Sequence, residues 1–390
     1  MKLSATARRV LALVSIVFTA LLGGGAGALL GTCGPFTDTA NDAFCPFILE
    51  VYYLGITTGT TPTTYSPADN VSRTQMAAFL SRTVDRTLQR GGRRAALKQF
   101  WAPQNSGVLG LTTVGSTPLL VESDGADLWV ANGAGSLVSR VRGSDGKLQD
   151  TWTGATNAFG VLVAMGRVFV TGSLNPGQLY RIDPSQAAGA VTTVASNLGG
   201  AGLAGIAFDG SRIWTANGFG SVSIVTPGAS LPWTVTTVTT GFSSPQGALY
   251  DGANIWVTDS AGTLLKLDGA GAILQTVTVG TVPQFPVFDG TSIWVPNQIS
   301  NSVSIVRASS GTVLATLTGN GLNAPRTAAF DGQRVLVTNV SGNSVSLWKA
   351  ADLTTLGSFG TGTSTGPFGA CSDGINFWIT LVGAAKLARF

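Results

Sequence analysis

The sequence predicts a mainly all-β protein: a closed ring of four-stranded sheets, preceded by a small α-helical module. Three observations predict it. One phrase, Asp-Gly, two spacers and an apolar-aromatic run, recurs at a nearly constant period. The chain holds 52 Gly and only 11% charged residues, with Val, Thr and Ser abundant. That composition suits short strands and tight turns rather than helices or disorder. Finally, the last repeat lacks its closing strand, while a matching strand stands alone before the first.

The phrase reads "SDGADLWVAN", "FDGSRIWTAN", "YDGANIWVTD", "FDGTSIWVPN" and "FDGQRVLVTN" in turn. Asp-Gly between apolar runs signals a hairpin turn, because Gly accepts positive φ without a Cβ clash. The aromatic and β-branched run after it suits a strand. Aligned turn glycines fall at Gly125, Gly166, Gly210, Gly252, Gly290, Gly332 and Gly374, spaced 41, 44, 42, 38, 42 and 42 residues apart. Six carry Asp before the Gly, and the second carries Met165. A period near 42 is that of a four-stranded blade, so residues 107–390 are expected to form a seven-bladed β-propeller.

The last unit ends at "AKLARF" without a fourth strand. The orphan strand in "GVLGLTTVGSTP" (107–118) is expected to complete it, closing the ring N-to-C and removing open sheet edges. Trp129, Trp214, Trp256, Trp294 and Trp378 fall at equivalent places and are expected to pack between neighbouring blades. The repeat resembles the YVTN and NHL families of β-propellers.

The first 28 residues read as a secretory signal peptide. Lys2, Arg8 and Arg9 make a positive start, Val10–Leu22 an apolar core, and "AGA" (26–28) a small-residue cleavage site. A retained membrane anchor is the alternative. In the oxidising compartment this implies, Cys33 and Cys45 are expected to form a disulfide closing a short loop, a stabilisation of roughly 3 kcal/mol. Lipidation of Cys33 is the competing reading. Cys371 reads as a small core residue.

Residues 31–90 form the helical module. "DAFCPFILEVYYLG" places Phe44, Ile48, Val51 and Tyr52 on one helical face, with Gly55 as a stop. In "VSRTQMAAFLSRTVDRTLQR", Ser72 and Gln75 fit a capping box, and Val71 with Met76 fits a hydrophobic staple. Met76, Phe79, Leu80, Val84 and Leu88 make the expected buried stripe. "FTD" (36–38), "LGITTG" (54–59), "YSP" (65–67) and "VSRTQMAAFLSR" (71–82) resemble an S-layer homology domain. The resemblance implies attachment to cell-wall polymer or glycan. Arg73 matches the family's Arg, while Thr74 and Gln75 stand where Ala-Glu is usual, and the Trp usual in the first helix is absent. Arg82, Arg86, Arg90 and Arg94 recur every fourth residue, a basic stripe suited to an anionic polymer or to plain solvation. Residues 91–106 read as a basic connector.

The chain contains no His, and Glu only at Glu50 and Glu122. The usual general base and commonest metal ligand are therefore missing. No catalytic residue, metal site or cofactor is expected. Nucleic acid is not an expected partner of an exported chain whose basic stretch has no aromatic interleaving; residues 100–390 hold 13 Lys/Arg against 14 Asp/Glu. Loops before first strands and after second strands share one face of the ring. That face is expected to carry Asn132, Asn157, Asn217, Gln246, Asp259, Gln284, Asn297, Arg326 and Asn339. Amides donate and accept at once, which suits sugar hydroxyls or a peptide ligand; the alternative is that these Asn serve turn conformations. The expected function is an exported envelope protein whose propeller binds or scaffolds. An extracellular lactonase- or lyase-like enzyme and a structural surface-layer component are the alternatives.

Overall fold

The structure is a computed structural model. It describes residues 33–91, apart from 34, 40, 41, 54 and 55, and residues 110–390, apart from 201 and 203. The signal-peptide reading lies outside the described residues. Among the described residues, no helix is long and apolar enough to cross a membrane. The chain divides into two compact units, Met1–Pro103 and Gln104–Phe390.

The first unit has two helices, α1 (Cys45–Tyr53) and α2 (Arg73–Gly91). Asp42 starts α1 by accepting the Phe44 amide at 2.8 Å. Ser72 and Gln75 form the expected capping box: the Gln75 amide donates to Ser72 Oγ at 3.2 Å, and the Ser72 amide donates to Gln75 Oε1 at 2.8 Å. Cys33 and Cys45 are joined as a disulfide with Cα atoms 5.5 Å apart. The core gathers Cys33, Phe36 and Ile48, with Leu49, Tyr52 and Tyr65 against them. Phe36 meets Tyr52 edge-on at 5.2 Å.

Two expectations fail here. Phe44 is 66% exposed instead of buried, because the cap at Asp42 leaves it in the first turn, against Phe47. Val71, Met76 and Leu80 are exposed as well, so neither the staple nor that part of the α2 stripe is buried. A stripe needs a facing element, and the core cluster draws its residues from α1 and the loops. The side chains of Val84 and Leu88 lie outside the described residues.

The second unit is seven four-stranded antiparallel sheets, each strand pairing with the next in the chain. The seventh sheet is completed from the other end. Strand Gly110–Thr113 pairs with Lys386–Arg389, in a register that sets Gly110 opposite Arg389. The expected closure is present, and the ring has no unpaired blade.

The repeated phrase encodes a local device. In the first blade, Asp124 Oδ1 accepts the amides of Ala126 and Asp127 at 2.9 and 2.7 Å, tying the turn, while Gly125 takes φ +91°. The other oxygen, Oδ2, accepts the Trp129 indole N–H at 2.8 Å. Asp209–Trp214, Asp251–Trp256, Asp289–Trp294 and Asp373–Trp378 repeat this bond at 2.7–2.8 Å. Each indole is thereby buried with its N–H satisfied. The rings pack on the following blade as expected, Trp129 against Val168 and Val170, and Trp256 against Ile293 and Val295.

The exceptions follow the same logic. Blade 6 has Leu336 for Trp, and Arg334 Nε takes Asp331 Oδ2 instead at 2.8 Å. Blade 2 has neither Asp nor Trp; Met165 and Gly166 form a shorter turn with φ of 52° and 66°, and Phe169 fills the core. We predict that Asp251→Ala lowers stability by about 2–4 kcal/mol, read from the urea midpoint. It removes bonds to a charged acceptor and strands a buried indole N–H.

Candidate functional site

In the helical unit, the "FTD" and "YSP" words meet. Asp38 accepts the amides of Tyr65 and Ser66 at 2.9 and 2.7 Å, and these bonds hold its carboxyl below the usual range. Arg73 is exposed and is the first residue of α2, whose first turn carries no acidic residue. A helix N-terminus and a guanidinium both favour anions. Arg82 donates from Nη1 to the Ile56 carbonyl at 3.0 Å, so it ties α2 to the loop after α1. Arg86 and Arg90 belong to the same helix, with side chains outside the described residues, and Arg94 lies wholly outside them.

In the ring, the amides expected on one face divide into two groups. Asn132, Asn217, Asn297 and Asn339 are buried inside their own blades. Asn297 Nδ2 donates to Ser302 Oγ and Ser304 Oγ at 3.2 and 3.0 Å, and Asn339 to Ser344 Oγ and Ser346 Oγ at 3.2 and 2.8 Å. Asn217 holds Ser221 and Ser223 likewise, and Asn132 holds Ser139. Asp259 is buried and accepts the amides of Ser243, Ser244 and Ala261. These residues clasp strand to strand or loop to strand. Asn157 is exposed at φ 49°, with a long contact to the Ser173 carbonyl at 3.5 Å.

Gln246, Gln284 and Arg326 form the second group. They stand at equivalent points near the start of the first strands of blades 4, 5 and 6. There the strands of blades 4 and 6 slip by one residue, as do those of blades 1, 2 and 7. A bulge of this kind leaves an amide unpaired and re-aims side chains. A Thr of the second strand satisfies that amide: Gly247 N donates to Thr258 Oγ1 and Gly369 N to Thr380 Oγ1, both at 2.8 Å. The same hydroxyls donate onward to the next blade, Thr258 to the Gln284 carbonyl at 2.7 Å and Thr380 to the Leu119 carbonyl at 2.6 Å.

The bulges bring three phenyl rings together across the ring. Phe159, Phe285 and Phe368, from blades 2, 5 and 7, lie 5.8, 5.9 and 6.1 Å apart. The Arg326 guanidinium sits over two of them, 4.5 Å from Phe368 and 5.8 Å from Phe285. Its Nη1 donates to Gln298 Oε1 at 3.2 Å. Burial lowers its pKa to about 10. Phe159 and Phe368 stand at one repeat position, the residue after the bulge opens, but that position is Gln246 in blade 4 and Arg326 in blade 6, so the repeat carries no aromatic signature there.

A cavity of about 240 Å³ is encircled by first-strand residues of all seven blades, including Glu122, Val161, Ile206, Phe285, Thr327 and Cys371. Glu122 is half-buried, and its carboxylate accepts the neighbouring Ser123 amide at 3.3 Å. Burial pushes its pKa up to about 7. Burial, and then the charges of Glu122 and Asp373, push the Cys371 thiol up too, so it is protonated at neutral pH. Among the described residues, no group of three His, Cys, Asp or Glu is placed to hold a metal ion.

Comparison with known proteins agrees with this division. Residues 35–77 match the family model for the S-layer homology domain. No curated protein matches the sequence. Among solved structures, a streptogramin B lyase aligns over 72% of this chain and 97% of its own, with 15% identity and a TM-score of 0.59. Virginiamycin B lyase from Staphylococcus aureus aligns over 72% and 99%, again at 15% identity and 0.59. The WD40 propeller domain of Doa1 aligns over 73% and 97%, at 11% identity and 0.59. At such identities the likeness is one of fold. The chain thus carries an S-layer homology domain at residues 35–77, followed by a seven-bladed β-propeller.

Proposed function

We propose that this is an exported cell-envelope protein. Its S-layer homology domain attaches it to an anionic wall polymer, and its propeller is a binding or scaffolding module. The family match over residues 35–77 carries this reading. Arg73 at the start of α2 supports it, being exposed where a helix end already favours anions. Arg86 and Arg90 extend the positive charge along the same helix, while residues 100–390 are close to neutral. A neutral ring suits ligands other than the polymer. The lyases among the structural neighbours share the fold at 15% identity, and a sequence without His supports binding over catalysis.

Sedimentation with purified cell-wall fragments tests the attachment. The whole chain is expected to sediment at low salt and to be released as salt rises, since exposed charges are screened over about 10 Å at 0.1 M. Residues 104–390 alone are expected to stay in the supernatant. Arg73→Ala should weaken binding more than Arg90→Ala does. Equal loss from either change would mean a diffuse basic patch, and no sedimentation at any salt would remove wall attachment.

A further inference from the structure

The first strands of the blades enclose a cavity of about 240 Å³. An apolar cavity of roughly 150 Å³ is enough to hold benzene, so this one has room for a phenyl-sized body with a short polar tail. Several of its wall residues are only half-buried, among them Glu122, Ile206, Val287, Phe330 and Ser372, and each lines the cavity. Phe285 belongs both to this wall and to the cluster with Phe159 and Phe368, so the three rings stop one end. Glu122, Phe330 and Ser372 stand one or two residues before the turn Asp of their blades, so the cavity extends toward the Asp-Gly turns.

Glu122 is the unusual member of the wall. Among the described residues that line the cavity, it alone carries a charge. It stands opposite Trp129, where the register of other blades sets Ala207, Leu249, Val287 and Cys371 opposite their own Trp. Packing between blades therefore does not require a carboxylate at this point. Burying an ionised carboxylate without a counter-charge is costly. Among the described residues no Lys or Arg pairs with Glu122, and burial outweighs the Ser123 amide in raising its pKa. The turns that border this end of the cavity carry seven Asp against three Arg, counted over residues 124–127, 165–167, 209–212, 251–254, 289–292, 331–334 and 373–376. The cations of the third strands, such as Lys266 and Arg389, lie farther out, over the indoles. Charge of one sign around a cleft draws ligands of the other.

We propose that this cavity is a receptor for a small organic cation, an ammonium group carried on an apolar body, with Glu122 as its counter-charge. This rests on the reading of the propeller as a binding module, and names the class of ligand. It is independent of wall attachment, which is read by sedimentation through residues 35–77.

The test is calorimetric titration of the full chain at about pH 8, where the Glu122 carboxyl is ionised. The probes are phenethylamine, its neutral twin phenethyl alcohol, and the anion phenylacetate. The amine is expected to bind at least about tenfold more tightly than the alcohol, as a charge-assisted pair does, and phenylacetate is expected not to bind. In Glu122→Gln the amine should fall to the level of the alcohol. Saturating amine should raise the Tm of the parent more than that of the variant, because a ligand stabilises the state it binds. The unliganded Tm of the variant at this pH should be no lower than the parent's, since an unpaired charge is removed. Equal binding of amine and alcohol by the parent overturns the cation assignment while keeping the propeller as a binding module. Binding of neither overturns the cavity as a receptor and leaves the ring as a scaffold. A preference for the amine that survives in Glu122→Gln overturns Glu122 as the counter-charge. Calcium chloride displacing the amine at equal concentration would overturn the assignment to an organic cation.

Discussion

Gly369→Val is expected to lower the stability of the ring by about 3 kcal/mol or more, the upper range for overpacking. A Cβ at Gly369 would run into the Leu119 carbonyl oxygen and would lie 2.9 Å from Leu120 Cα. Both are backbone atoms of the adjoining blade, so no side chain can swing aside. Thr380 fixes the same spot by bonding the Leu119 carbonyl. Similar crowding holds at Gly205, whose Cβ would meet the Gln246 carbonyl oxygen at 2.6 Å, and at Gly247, which would meet Pro286 Cδ at 2.6 Å. Gly369 is the most exposed to damage, since it lies at the seam between the last blade and the first. Gly360→Ala is the control: nothing lies within 4 Å of its Cβ, and its φ is not positive. Urea midpoints should separate the two variants clearly. An unchanged midpoint in Gly369→Val would show that the first strands can part freely.

Stability is expected to fall as pH rises from about 4.5 to about 7, and Glu122→Gln should abolish that fall. The folded carboxyl has a pKa of about 7 against an ordinary 4.5. The folded protein therefore keeps a proton that the unfolded chain surrenders across that window. Stability present below the window is lost through it and is level above. The shift corresponds to roughly 3 kcal/mol as an order of magnitude. Asp209 acts oppositely and elsewhere. Burial raises its carboxyl, but bonds from the Trp214 indole and the Arg212 and Ser211 amides outweigh this and hold it at about 2. Its contribution is lost only as pH falls below 3.8. Cys371 stays protonated across the Glu122 window. Thermal melts of both proteins from pH 4 to 9 decide the matter. A parent curve that does not decline between 4.5 and 7 would mean that water reaches Glu122 freely.

The ring was legible because its repeat spells a device completed within six residues. Asp, Gly and Trp each answer a need of the same turn, so blade count, closure and indole placement could be read from spacing alone. The buried Asn could have been read correctly too. Asn297 precedes Ser302 and Ser304 by the offsets that separate Asn339 from Ser344 and Ser346, and that pattern encodes an internal clasp. The Phe159, Phe285 and Phe368 cluster was not legible, because the position of Phe159 and Phe368 holds Gln or Arg in other blades and the rings meet only across the closed ring. Arg326 stood out in sequence as an isolated charge, but the rings beneath it did not. In the helical module, the motifs showed the Asp38 clasp region and the capping box. They did not show that Val71, Met76 and Leu80 are exposed, because periodicity records an apolar face and not what lies opposite.

The pairing of Gly110 with Arg389 has a consequence for how the molecule is made. The strand that seals the ring is translated before any blade, yet its partner, Lys386–Arg389, belongs to the seventh. Six blades can therefore assemble as local hairpins while the seal waits for Lys386–Arg389. Such long-range pairing slows folding, because the loop must be closed before the contact rewards it. A chain emerging in sequence cannot finish its ring until Lys386–Arg389 is free, so closure follows the synthesis of all seven blades. Loss of Lys386–Arg389 would leave not a smaller ring but an open one, with the edge of Gly110–Thr113 and that of Phe377–Leu381 exposed to other chains.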